Sequence, residues 1–296
     1  MPCTSTTSSQ RATTRRTWTP STASTWARPT GLVVKPSKLV RATADGVECL
    51  GLEVDGHEHR IGVSACKLQR LCDRTNALLD GGRCTGRELS SLVGEWTWAC
   101  LVRRPALAVL STVYRFEDVA SRRALWLWPS VRQELSTLVG LAPLLSADLG
   151  APWFPRVVAS DASSWGQGVV AARADPAACN VADLAQYEWR TVVSSSWDRP
   201  EHINVLEVRA LTTAVRWALS HPTSVGRRAM VLSDSQVAVG AVRKGRSSSR
   251  SLLVRLRALS ALLLAGGVQL DAVWIPSESN PADGPSRRGQ GEAGGP

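Results

Sequence analysis

The sequence predicts a mixed α/β domain over residues 156–288, a five-stranded sheet with flanking helices, preceded by a mainly helical region over residues 31–150. Five short apolar runs between residues 156 and 276 have the length and composition of strands. The stretches that separate the later runs carry a 3.6-residue apolar period, so the order reads three strands, helix, strand, helices, strand. Gly150, Pro152 and Pro155 punctuate the chain just upstream and mark a domain boundary.

Taken from the start, residues 1–30 are mostly Ser, Thr, Arg and Pro, and the first acid is Asp45, a composition that cannot bury a core. An Arg- and Ser-rich, acid-free start is similar to an organelle transit peptide, but its prolines and the lack of an amphipathic stripe favour a disordered leader. In the next region, VECLGLEVDGHEHRIGV reads as two strands around an Asp55-Gly56 turn. His57 and His59 flank that turn as solvated loop residues. Lys67, Leu68, Leu71, Leu78 and Leu79 mark one helix. Thr85 and Glu88 form a capping box ahead of a second, with Leu89, Leu92, Val93 and Trp96 in period.

Beyond the boundary, RVVASDASSWGQGVVAAR is a hairpin of two apolar runs, and TVVSSSW is a third strand. HINVLEVRALTTAVRWALS is a helix with Leu206, Ala210, Ala214, Trp217 and Ala218 on one stripe. AMVLSD follows as a strand, QVAVGAVRKG as a short helix and SLLVRLRALSALLLAGG as a helix ended by Gly266-Gly267. VQLDAVWIP is the last strand, and residues 289–296 read as a disordered tail.

The 296 residues, 44% of them hydrophobic, suffice for two ordinary domains. A formal charge of +10, from 35 Lys and Arg against 25 Asp and Glu, favours a polyanionic partner such as nucleic acid. The 7 Cys form no CxxC pair and no zinc pattern with His, which excludes a disulfide framework and a structural zinc site and fits reduced thiols in the cytoplasm or nucleus. No apolar run approaches the ~20 residues of a membrane helix, so no membrane partner is expected. Nothing in the chain calls for a small-molecule cofactor. Trp96, Trp98, Trp126, Trp128 and Trp217 sit in helical patterns and read as core residues, while Trp165, beside Asp161, is the exception.

Four acids occupy telling places. Asp161 follows Val157-Val158-Ala159 and Asp234 follows Met230-Val231-Leu232, so both fall at C-terminal ends of strands, where open α/β sheets build their sites. Glu207 lies in the first turns of a helix. Asp283 sits in WIPSESNPADGPSR, where prolines 276, 281 and 285 hold a stiff turn without regular structure. Carboxylates packed together raise one another's pKa values and are costly unless cations neutralise them. Two Mg²⁺ ions about 3.5–4 Å apart would do so, and oxygen-only ligation suits Mg²⁺ or Mn²⁺. Taken singly, each acid also reads as a turn, cap or solvated helix residue.

SDAS at 160–163, HINVLEVRALTTA with Glu207, SDS at 233–235 and NPAD at 280–283 resemble the four acidic motifs of a type 1 ribonuclease H domain. The wording HIN-x-LE, SDS-x-x-A and WIPSE-x-NPAD-x-PSR is similar to the RNase H region of reverse transcriptases from DIRS-like (tyrosine-recombinase) retrotransposons. That resemblance covers about residues 156–288. It implies an RNase H-like mixed sheet and cleavage of the RNA strand of an RNA-DNA hybrid by two-metal catalysis, with Asp161, Glu207, Asp234 and Asp283 as ligands. Upstream, GLVVKPSKL and ECLGLEVD are similar to the end of a reverse-transcriptase palm and the start of its thumb, which makes residues 31–150 thumb- and connection-like. No YxDD-type pair is present, so polymerase activity is not expected, and a separate polymerase chain is a candidate partner.

Two departures stand out. The loop before the last acid reads PSESNPAD, with Glu278 where type 1 enzymes usually carry a His. The basic region that grips the hybrid in some members is reduced to RKGRSSSR, whose Arg243, Lys244, Arg246 and Arg250 are candidate phosphate contacts. His202 and Asn204 are candidates for reaching minor-groove hydroxyls, Asn204 reading equally well as a helix N-cap. Ser163 and Ser235 of the first and third motifs complete the candidate nucleic-acid contacts. The competing reading is a catalytically inactive nucleic-acid-binding remnant. An exonuclease or integrase is disfavoured, because Asp161-Ala-Ser lacks the second acid of a D-x-E motif and the fourth acid is an Asp on a Pro-rich turn.

Overall fold

The computed structural model describes residues 46–288; the leader read at 1–30 and the tail read at 289–296 lie outside them. Residues 47–63 form three strands instead of the expected two: β1 (Val47–Cys49), β2 (Leu52–Asp55) and β3 (Arg60–Val63). Leu50 and Gly51, at φ of 52° and 83°, make a two-residue left-handed turn that folds β1 back on β2. A leucine at positive φ gives no sequence signal for such a turn, and its side chain is 89% exposed at the tip.

Next come α1 (Ala65–Gly81), β4 (Arg83–Cys84), α2 (Gly86–Cys100), a 3-10 segment (Arg104–Val109), α3 (Thr112–Val119), β5 (Leu125–Trp126), α4 (Pro129–Leu141) and β6 (Ser146–Asp148). The capping box at α2 forms as read: the Glu88 N–H donates to Thr85 Oγ1 at 3.3 Å, and the Thr85 N–H donates to Glu88 Oε2 at 2.8 Å. Trp96 is fully buried, and its indole N–H donates to Thr75 Oγ1 at 2.9 Å, so its one polar atom is satisfied inside the helical core. β6 pairs antiparallel with β3, so the small sheet runs β1-β2-β3-β6 and closes this region on itself.

The second sheet is built from β7 (Trp153–Ala162), β8 (Gly166–Ala172), β9 (Arg190–Ser196), β10 (Arg228–Ser233) and β11 (Gln269–Trp274). Its order is β11-β10-β7-β8-β9; β10 is parallel to both neighbours, and β7, β8 and β9 are antiparallel, which makes a mixed five-stranded sheet. Helices α5 (Ile203–Leu219) and α7 (Arg250–Ala265) cover one face, where Val158, Val169 and Val231 meet Leu211, Val215, Leu259 and Leu263. Each such buried side chain contributes about 1.5–3 kcal/mol by leaving water. Trp217 packs at the margin of this cluster. On the other face Val157, Ala159, Val170 and Leu232 meet Leu184, Ile275 and Ala282. Helix α6 (Gln236–Lys244) follows β10, and a single turn, α8 (Asp283–Ser286), follows β11.

The boundary expected at Gly150–Pro155 falls between β6 and β7, but the packing does not divide there. All described residues belong to one compact unit. Leu264 of α7 joins the buried cluster of Trp96 and Leu135, and Ala108 of the 3-10 segment joins Val208 and Leu252. The buried Arg103 guanidinium donates to the carbonyls of Leu263 at 3.1 Å and Val268 at 3.3 Å. Arg103 caps the 3-10 segment, whose six residues are too few to show a 3.6-residue period, so the sequence carries no signal for this junction. Among the described residues no helix is long and apolar enough to cross a membrane.

Candidate active site

The parallel pairing of β7 and β10 sets Ala159 opposite Leu232. Two residues further along each strand's path come Asp161, the penultimate residue of β7, and Asp234, just past β10, so the register levels the two acids at the C-terminal edge of the sheet. Glu207 reaches the same edge from α5. That helix starts after His202, whose ring Nδ1 accepts the Asn204 N–H at 3.2 Å. His202 is therefore the N-cap, the place for which Asn204 was the alternative, and Asn204 lies inside the first turn.

Carboxylate oxygens of Asp161, Glu207 and Asp234 all lie within 4.8 Å of one another. Asp161 is 5% exposed and Glu207 8%. Burial, reinforced by the charges of Asp161 and Asp234, pushes the Glu207 carboxyl up to about 8. Burial also lifts Asp161 to about 6; the Ser286 hydroxyl opposes the rise, and the charges of Asp234 and Asp283 add to it. Glu207 Oε2 is buried with no hydrogen-bond partner. Three clustered carboxylates with an unpartnered buried oxygen are costly unless protonated or bound to a cation, and oxygen-only donors fit Mg²⁺ or Mn²⁺.

Asp283 departs from the expectation of a turn without regular structure. It opens α8, whose Pro285 sits in the first helical turn, where no N–H is needed. Its Oδ1 is taken by the Arg287 guanidinium, at 2.6 Å from Nη2 and 2.9 Å from Nε, and it stands outside the group of three. Its charge still acts on Asp161.

Two residues absent from the sequence reading touch Asp161. The Asn280 amide nitrogen donates to Asp161 Oδ1 at 3.4 Å and to the Ser160 carbonyl at 3.3 Å. The Ser286 hydroxyl donates to Asp161 Oδ2. Asn280 lay in plain view in NPAD; for Ser286, 125 residues from its partner, no local spacing points to the contact.

The remaining candidates fall in different places. Ser163 spends its hydroxyl on the β7–β8 turn, accepting the N–H groups of Trp165 and Gly166 at 3.2 and 3.1 Å and donating to the Ser286 carbonyl at 2.8 Å. Ser235 caps α6, accepting the Ala238 N–H at 3.3 Å, which leaves Asp234 free of that task. Glu278 is exposed in a cleft with Asp183, Leu184 and Trp189, apart from the three acids. Arg243 lies along β11, donating to the Ala272 carbonyl at 2.8 Å. Lys244 and Arg246 line a cleft of about 780 Å³ whose opposite wall is Tyr114 and Arg115 of α3. Arg250 opens α7. Trp165 is half exposed beside the β7–β8 turn. A more apolar cleft of about 520 Å³ lies between α4 and α7 and holds none of the clustered acids.

The fold and site define a mixed α/β protein with a carboxylate cluster at the C-terminal edge of its inner strands. No family model and no curated protein matches the chain. Among solved structures it is similar to the N-terminal RNase H domain of a Mycobacterium tuberculosis protein fused to maltose-binding protein, at 19% identity over 43% of this chain and 91% of that one, with a TM-score of 0.33. It is also similar to LC11-RNase H1 in complex with an RNA/DNA hybrid, at 18% identity over 47% of this chain and 98% of that one, with a TM-score of 0.36. A longer match, over 77% of this chain and 38% of that one, is to the foamy viral protease-reverse transcriptase dRH in complex with double-stranded DNA, at 13% identity and a TM-score of 0.30.

Proposed function

We propose that the chain is a retroelement-derived ribonuclease H that cuts the RNA strand of RNA-DNA hybrids. The observation that carries this reading is the meeting of Asp161, Glu207 and Asp234 within 4.8 Å, on the elements and in the order of the resemblance read from the sequence. Those three residues would hold two divalent ions, with Asp283 joining them on release from Arg287. Bound Mg²⁺ or Mn²⁺ supplies a water acidic enough to attack the phosphodiester and a counter-charge for the leaving oxygen. Glu207, whose carboxyl burial pushes up to about 8, would give up its proton on becoming a ligand. Lys244, Arg246 and Arg115 offer cations to substrate phosphates across their cleft. His202 and Asn204, at the start of the Glu207 helix, would meet ribose hydroxyls of the hybrid.

One observation favours the second reading, an inactive nucleic-acid-binding remnant: the Asp283 carboxylate is already neutralised by Arg287. The full chain incubated with a labelled RNA-DNA hybrid and Mg²⁺, Mn²⁺ or EDTA separates the two. Cutting of the RNA strand with metal and none in EDTA is expected. Folded protein that binds the hybrid and cuts with neither ion would replace the enzyme by the remnant.

A further inference from the structure

We infer that residues 280–287 form a latch that orients Asp161, with Ser286 and Asn280 as positioning residues for the carboxylate cluster. The inference rests on the metal site proposed above and assigns to this segment a task distinct from supplying Asp283.

An aspartate carboxylate turns easily about its last bond, and one placed beside two other acids gains by turning away from them. Asp161 does not have that freedom. Ser286 holds Oδ2 and Asn280 holds Oδ1, so both oxygens are fixed by donors from one segment. Each oxygen keeps a lone pair for a cation. Asn280 and Ser286 are buried, so the contacts are not exchanged with water.

The segment is itself seated on the sheet. The Ser163 hydroxyl donates to the Ser286 carbonyl and the Ser194 hydroxyl to the Pro285 carbonyl, both at 2.8 Å. Beneath it, a Cβ on Gly168 would lie 2.4 Å from the Ala282 carbonyl oxygen and 2.6 Å from the Ser286 nitrogen, closer than any side chain allows. Gly168 pairs with Asp161 across β7 and β8, so the bare strand position lies directly beside the acid that the latch holds. Glycine at 168 is thus explained by the close approach of another backbone.

Manganese binding to the full chain without nucleic acid, followed by calorimetry or electron paramagnetic resonance, tests this. Ser286→Ala removes only the hydroxyl and should weaken Mn²⁺ binding about 10-fold, the usual scale for losing a partner of a metal ligand. Hybrid binding in EDTA should stay at the wild-type level, and Ser286→Thr, which keeps a hydroxyl, should restore the metal affinity. Gly168→Ala leaves every acid in place and should weaken Mn²⁺ binding in the same direction by lifting the latch. Wild-type Mn²⁺ affinity in both folded Ser286→Ala and folded Asn280→Ala would overturn the latch alone. Weakened binding in these variants, with a wild-type chain that binds Mn²⁺ but cuts no hybrid, would support the latch and sink the nuclease. A wild-type chain that binds no Mn²⁺ would overturn both.

Discussion

Glu134 of α4 and Arg257 of α7 meet at 3.2 Å, one from the helical region and the other from the helix layer of the five-stranded sheet. The same carboxylate accepts the N–H groups of Ser111, Thr112 and Val113 at 2.9–3.1 Å, the unpaired donors at the start of α3. Glu134→Ala should therefore cost about 3 kcal/mol, from lost capping and from buried donors left without a partner. Because Arg257 also holds the carbonyls of Ala108 and Val109, urea unfolding followed by two probes should shift as one transition. Two transitions, only one of them moved, would contradict the shared packing.

The acid cluster makes stability depend on pH when metal is absent. Folded Glu207 and Asp161 titrate at about 8 and about 6, above the 4.5 and 3.8 of free carboxyls. At a pH below both free values, the folded and unfolded chains hold the same protons and the groups contribute nothing. As pH rises, the unfolded chain releases its protons first, so the folded state is progressively disfavoured up to about pH 8. Melting temperature in EDTA should fall between about pH 5 and pH 8, and Mg²⁺ should raise it most at the upper end.

Asp234→Asn separates stability from catalysis. Removing one of three like charges should stabilise the metal-free protein at pH 8 by about 1 kcal/mol, the energy of a shift of less than one pKa unit. The same variant should bind the hybrid and lose RNA cleavage, because a ligand is gone. A variant that melts lower than wild type in EDTA would show that the repulsion is not felt.

Gly245 ends α6 at φ 67°, and a Cβ there would lie 2.1 Å from the Arg104 carbonyl oxygen. Both the backbone conformation and the contact exclude a side chain. Gly245→Ala should cost about 3 kcal/mol in thermal or urea unfolding and displace Lys244 and Arg246 from their cleft.

Arg246 and Arg115 face that cleft from opposite walls. If both meet phosphates, replacing either by Ala should reduce the slope of log affinity against log salt by about 0.9, the value expected for one lost contact. An unchanged slope in Arg115→Ala would confine the substrate to the α6–α7 side.

Much of the sheet domain is legible in the sequence because its signals are local. Strand runs, the stripe of α5 and the acids at strand ends all lie within windows of a few residues, and the parallel register does the rest. What stays hidden is carried by distance or by an unusual residue. The hydroxyl of Ser286 meets its partner across 125 residues, which no periodicity encodes. Leu50 turns a hairpin at positive φ, where leucine is rare. The pairing of Asp283 with Arg287 needs the helical turn that three nearby prolines argue against. The 3-10 segment that joins the two regions carries apolar residues in a run too short to show a period.

The long reach between Asp161 and Ser286 sets an order of events during synthesis. A ribosome adds roughly 5–20 residues per second, so strand β7 emerges several seconds before the segment that will hold its acid. Throughout that interval the growing chain carries Asp161 without that restraint, and a nascent polypeptide arrested before residues 280–287 have emerged should bind a divalent ion more weakly than the finished chain. Tight metal capture by the cluster would thus wait until residues 280–287 have left the ribosome.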